Sequence, residues 1–236
     1  LSKYLLGAIA HPTTHTEKCL DIRLETTFVN VVDAPSLALI IPIISRGLKE
    51  RKADMKKKAA KIAGNTCALV ADPKDMVPYI PELVSELKKS LIDPNPEVRS
   101  VSARALASLL DGAGEEHFED LIPWLTEKMQ GEGSGVERAG AAQGLAECLN
   151  ALGGDKFVAI LPEVCRGCSS PLSRVRAGHL QLLKFLPLSV GQKFEPYLSE
   201  SLTTVLTGLA DEEESVRDAA LGAGRVFVSA YSHSES

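Results

Sequence analysis

The sequence predicts an all-α protein, a right-handed α-solenoid of stacked helix pairs. Three observations carry this expectation. Apolar residues recur at helical spacing. A two-part pattern returns at a period of about forty residues, the length of one helix-pair repeat. The 236-residue chain is 44% apolar yet only 5% aromatic, so its core is made of small aliphatic layers, which suit helix packing.

The stretch "DAPSLALIIP" at 33–42 has a proline at each end and poses the first choice. A strand is poorly compatible with Pro42 inside it, because proline cannot donate to a ladder. A membrane span needs about 18 apolar residues, and this run stops at Ser45-Arg46. A helix remains. Pro35 falls in its first turn, where an N–H lacks a partner anyway, and Pro42 is expected to kink it.

The stretch repeats. Aligned on a hydrophobic-Pro pair, the chain reads "LALIIPIIS", "VPYIPELVS", "EDLIPWLTE" and "VAILPEVCR". The prolines are Pro42, Pro81, Pro123 and Pro162, at steps of 39, 42 and 39. A fifth copy, "EPYLSESLT", has Ser199 at the proline position. About 15 residues after each pair comes a second pattern: "DMKKKAAKIAG", "EVRSVSARALASL", "VERAGAAQGLAECL", "RVRAGHLQLLKFL" and "SVRDAALGAGRVF". Its register residues are Lys56, Arg99, Arg138, Arg176 and Arg217, at steps of 43, 39, 38 and 41.

Both patterns are helical: Ile80, Leu83, Val84 and Leu87 share one face, as do Val98, Val101, Ala105 and Leu109. Turn signals such as "DPNPE" and "GEGSG" separate them, and glycines in "DGAGEEHF", "LGGDKF" and "VGQKF" are placed to cap the second helix. A two-helix repeat of this length is the HEAT (armadillo-type) class, whose members hide their apolar faces by stacking. The expected division is a leading helical fragment of a preceding repeat at 1–34, then repeats at 35–72, 73–114, 115–154 and 155–191, and a last repeat with tail at 192–236. The chain opens on Leu1 without a basic and apolar leader, which reads as a segment of a longer protein.

The spacing Asp93 to Arg99 recurs as Asp211 to Arg217. An Asp in the inter-helix turn can accept from an Arg one turn into a second helix, of its own repeat or the adjacent one. Asp93, Arg99, Arg138, Arg176, Asp211 and Arg217 are therefore read as a structural ladder, incomplete because Glu132 and Ser170 occupy the equivalent places in the middle repeats.

Catalytic and metal signatures are weak. Cys165-Arg-Gly-Cys168 lacks a second ligand pair, and its helical context does not suit a redox motif. His11 and His15 are two ligands without company, and His117 and His179 read as an inter-repeat and a helix-face residue. Neither a phosphate-cradling Gly-x-x-x-x-Gly-Lys loop nor a Gly-x-Ser-x-Gly elbow occurs. No enzyme activity, cofactor or metal is expected. Five cysteines at 19, 67, 148, 165 and 168 do not form a disulfide framework, which suits a reducing compartment.

The net charge of −5 argues against an overall electrostatic grip on nucleic acid. One cluster stands apart: residues 46–61 hold eight bases and two acids. Arg46, Lys49, Arg51 and Lys52 close one helix, and Lys56, Lys57, Lys58 and Lys61 open the next. Cations at a helix start oppose its dipole, so local stability does not explain them. They are the candidate contacts to a phosphate backbone or an acidic protein surface. Residues 211–236 carry six acids and two bases, so the chain is electrically polar along its length.

The phrase "TTFVNVVDAPSLALIIPIISRGLKERKADMKKKAAKIAGNTCALVADPKDMVPYIPEL" at 26–83 resembles the HEAT region shared by fungal translation elongation factor three and the general-control translational activator. "LIDPNPEVRSVSARALASL", "FEDLIPWLTEKM", "GVERAGAAQGLAE" and "EEESVRDAALGAGRVFV" resemble the activator. The resemblance implies a cytoplasmic scaffold that binds the ribosome and signals stalled or collided ribosomes and amino-acid starvation to the initiation factor two alpha kinase. It further implies an ATP-binding-cassette partner, with the kinase bound by other parts of the parent chain. The rival expectations are the HEAT domain of an elongation-factor-three-type ribosomal ATPase and a generic HEAT adaptor.

Overall fold

A computed structural model describes residues 2–25, 32–153 and 156–231. Residues 26–31, which open the family-like phrase, lie outside the described residues, as do 154–155 of "LGGDKF" and 232–236 of the tail. The described residues are helical, with one isolated parallel bridge, Val32 to Val70. There Val32 N donates to Leu69 O at 2.7 Å and Ala71 N to Val32 O at 3.1 Å. The helices pair in sequence order, as the HEAT (armadillo-type) class requires.

The chain divides into two units, Leu1–Glu119 and Asp120–Ser236. The first holds α1 (Ser2–Ala10), α2 (Pro12–Glu25), α3 (Ala34–Lys49), α4 (Ala53–Cys67), α5 (Ile80–Leu91) and α6 (Pro96–Ala113). Within it α3 packs on α4 and α5 on α6, and the second helices α2, α4 and α6 pack in series. Ile80, Leu83 and Leu87 of the face read from the sequence are buried in α5 and Val84 is half-buried; in α3, Leu37, Ile41, Ile44 and Leu48 are buried at i, i+4, i+7 and i+11, with Ile40 and Ile43 beside them. Each such side chain contributes about 1.5–3 kcal/mol through burial.

The second unit holds α7 (Leu121–Gln130), α8 (Gly135–Ala151), α9 (Lys156–Gly167), α10 (Ser173–Val190), α11 (Leu198–Leu209) and α12 (Glu214–Tyr231). Here α8, α10 and α12 pack in series, with α7 on α8 and α11 on α12. Glycine lets α10 lie close to α7 and to α9: a Cβ on Gly178 of α10 would stand 2.2 Å from Met129 O of α7, and one on Gly167 of α9 would stand 2.4 Å from the ring of buried His179 on α10.

Second helices bury more than one stripe. Val98, Ala105 and Leu109 of α6 are buried as expected, but Ser102, Ala103, Leu106 and Leu110 are buried too, while Val101 is only part-buried. The physical reason is that α6 is covered by both α4 and α5, so the arc removed from water is wider than one face.

Caps and stops follow the sequence signals. Asp33 accepts from Ser36 N at 3.0 Å, Asn95 from Glu97 N at 2.9 Å and Ser134 from Glu137 N at 3.2 Å. Gly114, Gly153 and Gly191 follow second helices with φ of +97°, +67° and +62°, which a side chain would resist. The register prolines do not share one helical position. Pro81 lies in the first turn of α5, whereas α3 and α9 run through Pro42 and Pro162.

Candidate functional site

The basic cluster spans the α3–α4 corner, and packing brings acids from neighbouring helices to most of it. Arg46 donates from NH1 to Ala8 O at 3.0 Å and to Thr16 Oγ1 at 3.1 Å. Lys49 Nζ meets Glu82 Oε1 at 3.0 Å, and Ser45 donates to the same oxygen at 2.7 Å. Those two donors hold the Glu82 carboxyl below the usual range. Lys52 Nζ lies 3.6 Å from Glu17 Oε2.

The three consecutive lysines of α4 each find a partner. Lys56 pairs with Asp93 at 2.6 Å and Lys57 with Glu97 at 2.6 Å, both toward the following repeat. Lys58 pairs with Asp21 of α2 at 2.5 Å and with Asp54 at 2.8 Å. Hydrogen bonds to Asp21 and Asp54 push the Lys58 ammonium up, against the cost of burial. Cations that oppose their own helix dipole are thus offset by acids on α2, α4 and α6 and in the α5–α6 turn.

Arg51 and Lys61 differ: both are exposed, with no acid in salt-bridge range among the described residues. Lys61 stands five residues after Lys56. The same offset after Arg99 gives Arg104, also exposed, which donates to Ser100 Oγ at 3.1 Å on its own helix. Lys61 on α4 and Arg104 on α6 thus hold equivalent, exposed positions on two second helices that pack together. Sequence reasoning passed over Arg104, although the repeat offset was legible.

The ladder residues make two kinds of contact. Within a repeat, the arginine reaches backbone carbonyls of the inter-helix turn rather than a carboxylate. Arg99 NH1 donates to Asp93 O at 2.8 Å and Pro94 O at 2.9 Å. Arg176 NH1 donates to Ser170 O at 2.9 Å and Pro171 O at 3.3 Å, and Arg217 NH1 to Asp211 O and Glu212 O at 2.8 Å each. Arg138 NH1 donates to Gly131 O at 3.4 Å and to Gly133 O.

Between repeats, the register cation reaches the next turn's aspartate. Lys56 does so with Asp93. Arg176 grips Asp211 with both arms, Nε to Oδ2 at 2.7 Å and NH2 to Oδ1 at 2.8 Å. Asp93 Oδ1 also accepts from Asn95 N at 2.9 Å, and Asp211 Oδ1 from Glu213 N at 3.0 Å. Burial works to raise the Asp93 carboxyl, but Lys56 and the Asn95 amide outweigh it and hold it below its ordinary value. Arg176 holds Asp211 low in the same way. Each of these two contacts joins one helix pair to the turn of the next.

The remaining candidates do not converge. Cys165 and Cys168 are part-buried free thiols, and burial pushes both up. His179 is buried, its Nδ1 2.8 Å from Val175 O, and burial lowers its basicity. Among the described residues no three His, Cys, Asp or Glu side chains are placed to hold a metal ion, and no helix is long and apolar enough to cross a membrane.

Known proteins resemble the chain along nearly its whole length. The family described as "Stalled ribosome sensor GCN1-like, HEAT repeats" matches residues 95–236, and "Elongation factor 3/GNC1 HEAT repeat" matches residues 15–120. Protein ILITYHIA of Arabidopsis thaliana is 58% identical over 224 residues, 95% of this chain and 8% of that protein. Stalled ribosome sensor GCN1 of Homo sapiens is 46% identical over 233 residues, 98% of this chain and 9% of that protein. The eIF-2-alpha kinase activator GCN1 of Saccharomyces cerevisiae is 44% identical over 227 residues, 96% of this chain and 8% of that protein. The chain thus spans under a tenth of the relatives it matches.

Proposed function

The chain belongs to the GCN1-like HEAT-repeat family, and on that premise we propose that it is a non-enzymatic scaffold segment of a ribosome-associated translational activator. In this reading the parent protein is cytoplasmic. It senses stalled or collided ribosomes and signals them, with amino-acid starvation, to the initiation factor two alpha kinase. The names of the human and yeast relatives, a stalled ribosome sensor and an eIF-2-alpha kinase activator, support that reading. This segment's own partner is the ribosome, with an ATP-binding-cassette protein beside it, and the kinase is held elsewhere in the parent chain. The repeat divisions at 35, 73, 115, 155 and 192 and the inter-repeat ladder belong to the same proposal.

The observation that supports a contact is the pair of cations the packing leaves free. Of the eight candidates, Arg51 and Lys61 carry the ribosomal contact, with Arg104 at the position equivalent to Lys61 one repeat on. Arg46, Lys49, Lys52, Lys56, Lys57 and Lys58 hold adjacent helix pairs together. Exposed cations keep their full charge for phosphate oxygens or acidic side chains. The test is co-sedimentation with ribosomes at moderate salt. A Lys61→Glu, Arg104→Glu variant is expected to lose sedimentation and keep its melting temperature. Wild-type sedimentation by that variant removes these residues from the contact.

The match of residues 15–120 to the elongation factor three description supports a second reading, the HEAT domain of a ribosomal ATPase. Two nucleotide-binding cassettes in the parent chain would establish it.

A further inference from the structure

Three inter-helix turns share one geometry, and one of them lacks its acid. In the turns at Asp93, Ser170 and Asp211, the first residue's carbonyl accepts from the register arginine of its own repeat, at 2.8, 2.9 and 2.8 Å. The first residue's side-chain oxygen accepts from the backbone N–H two residues on, at 2.9 Å for Asp93, 3.3 Å for Ser170 and 3.0 Å for Asp211. Ser170 Oγ therefore occupies the place of an aspartate carboxyl.

In the two aspartate turns, the cation one repeat earlier closes a rung: Lys56 on Asp93, Arg176 on Asp211. For Ser170 that cation is Arg138, on α8, which packs on α10. Arg138 also donates from NH1 to carbonyls of its own turn, Gly131 O and Gly133 O, skipping Glu132, whose place corresponds to Asp93, Ser170 and Asp211. The Nε and NH2 that in Arg176 grip Asp211 have no acceptor in Arg138 among the described residues. A neutral hydroxyl leaves this rung without its anion.

The same turn can acquire one. Ser170 is followed by Pro171, and residues 168–172 lie between α9 and α10, with Ser169, Pro171 and Leu172 exposed. We propose that Ser170 is a phosphoacceptor for a proline-directed Ser/Thr kinase, and that Arg138 of the preceding repeat binds the phosphate and closes the empty rung. The γ-phosphoryl of ATP passes to Ser170: the bond from its phosphorus to the ADP oxygen breaks, the Oγ–P bond forms, and the hydroxyl proton leaves to the kinase's base. The product carries a charge of about −1.5 to −2 and three acceptor oxygens, which suit a guanidinium better than a carboxylate does. Phosphorylation would then stiffen one joint of the repeat stack.

The test treats the folded chain with a purified proline-directed Ser/Thr kinase and ATP, maps the phosphate by mass spectrometry and compares melting temperatures. Phosphate is expected on Ser170, to be absent in Pro171→Ala, and to raise Tm by about 2–4 °C, the shift one charge-assisted rung gives a chain of this length. Arg138→Ala should abolish the rise. If Arg138→Ala fails to fold, salt at about 1 M, where screening reaches only about 3 Å, replaces it and should shrink the rise. No phosphate on Ser170, a Tm that stays or falls on phosphorylation, or a rise that survives Arg138→Ala or high salt overturns the proposal.

Discussion

Replacing Arg176 by alanine is the sharpest probe of how these repeats hold together. The guanidinium makes a two-armed pair with Asp211 at 2.7 and 2.8 Å, and NH1 holds Ser170 O at 2.9 Å. The two side chains are 12% and 13% exposed. That position decides the magnitude. A fully exposed pair is worth about 0–1 kcal/mol, and breaking a fully buried one costs about 3–5 kcal/mol. A pair at the rim of a turn falls between them. The substitution also leaves Asp211 with only the Glu213 amide, and the charged hydrogen bonds it loses are worth about 1.5–3 kcal/mol. The expected loss is about 2–3 kcal/mol, which lowers Tm by about 5–10 °C in a chain of this size. Urea unfolding of Arg176→Ala, Asp211→Ala and the double variant gives the coupling directly, and it should exceed about 1 kcal/mol. A loss below about 0.5 kcal/mol, the level of an ordinary surface change, or single-variant losses that simply add, would refute the joint as a stabilising element.

Further outcomes follow from the same geometry. Gly178→Ala places a Cβ 2.2 Å from Met129 O and should cost about 3 kcal/mol in thermal or urea unfolding, because backbone must shift. Gly222→Ala meets only the flexible Lys184 stem at 3.4 Å, so helix propensity wins and the chain should gain about 0.5–1 kcal/mol. Asp93 and Asp211 are held below their ordinary values in the folded chain. Their contribution is complete above the unfolded carboxylate value of about 3.9 and disappears as pH falls through the lower folded values. A pH series of Tm should therefore drop in acid, less steeply for Asp93→Asn, Asp211→Asn; an identical slope would remove these residues from the acid limb. Burial pushes the Cys67 and Cys148 thiols up to about 12, so mass spectrometry after iodoacetamide at pH 8 should find both unmodified until denaturant is added.

The sequence by itself determined what repeats. Period and face are local properties: the spacing of Ile80, Leu83, Val84 and Leu87 places one stripe on one helix, and three of the four are buried. The glycines before "EEHF", "DKF" and "QKF" mark second-helix ends because only glycine accepts positive φ freely. The register of Lys56, Arg99, Arg138, Arg176 and Arg217 was equally visible, as was the missing acid at Ser170.

Only the tertiary structure decided which charges remain free. Lys56, Lys57 and Lys58 form one basic run in the sequence, but Asp93, Glu97 and Asp21, in the α5–α6 turn, on α6 and on α2, lie about forty residues away along the chain; only the Lys58 pair with Asp54 is local. A hydrogen-bonded ion pair needs atoms within about 3 Å, and no local pattern encodes such a distance between separate helices. Helix stacking sets it. The same stacking gave most of the basic run an acid on a neighbouring element and left Arg51 and Lys61 exposed with none in range among the described residues.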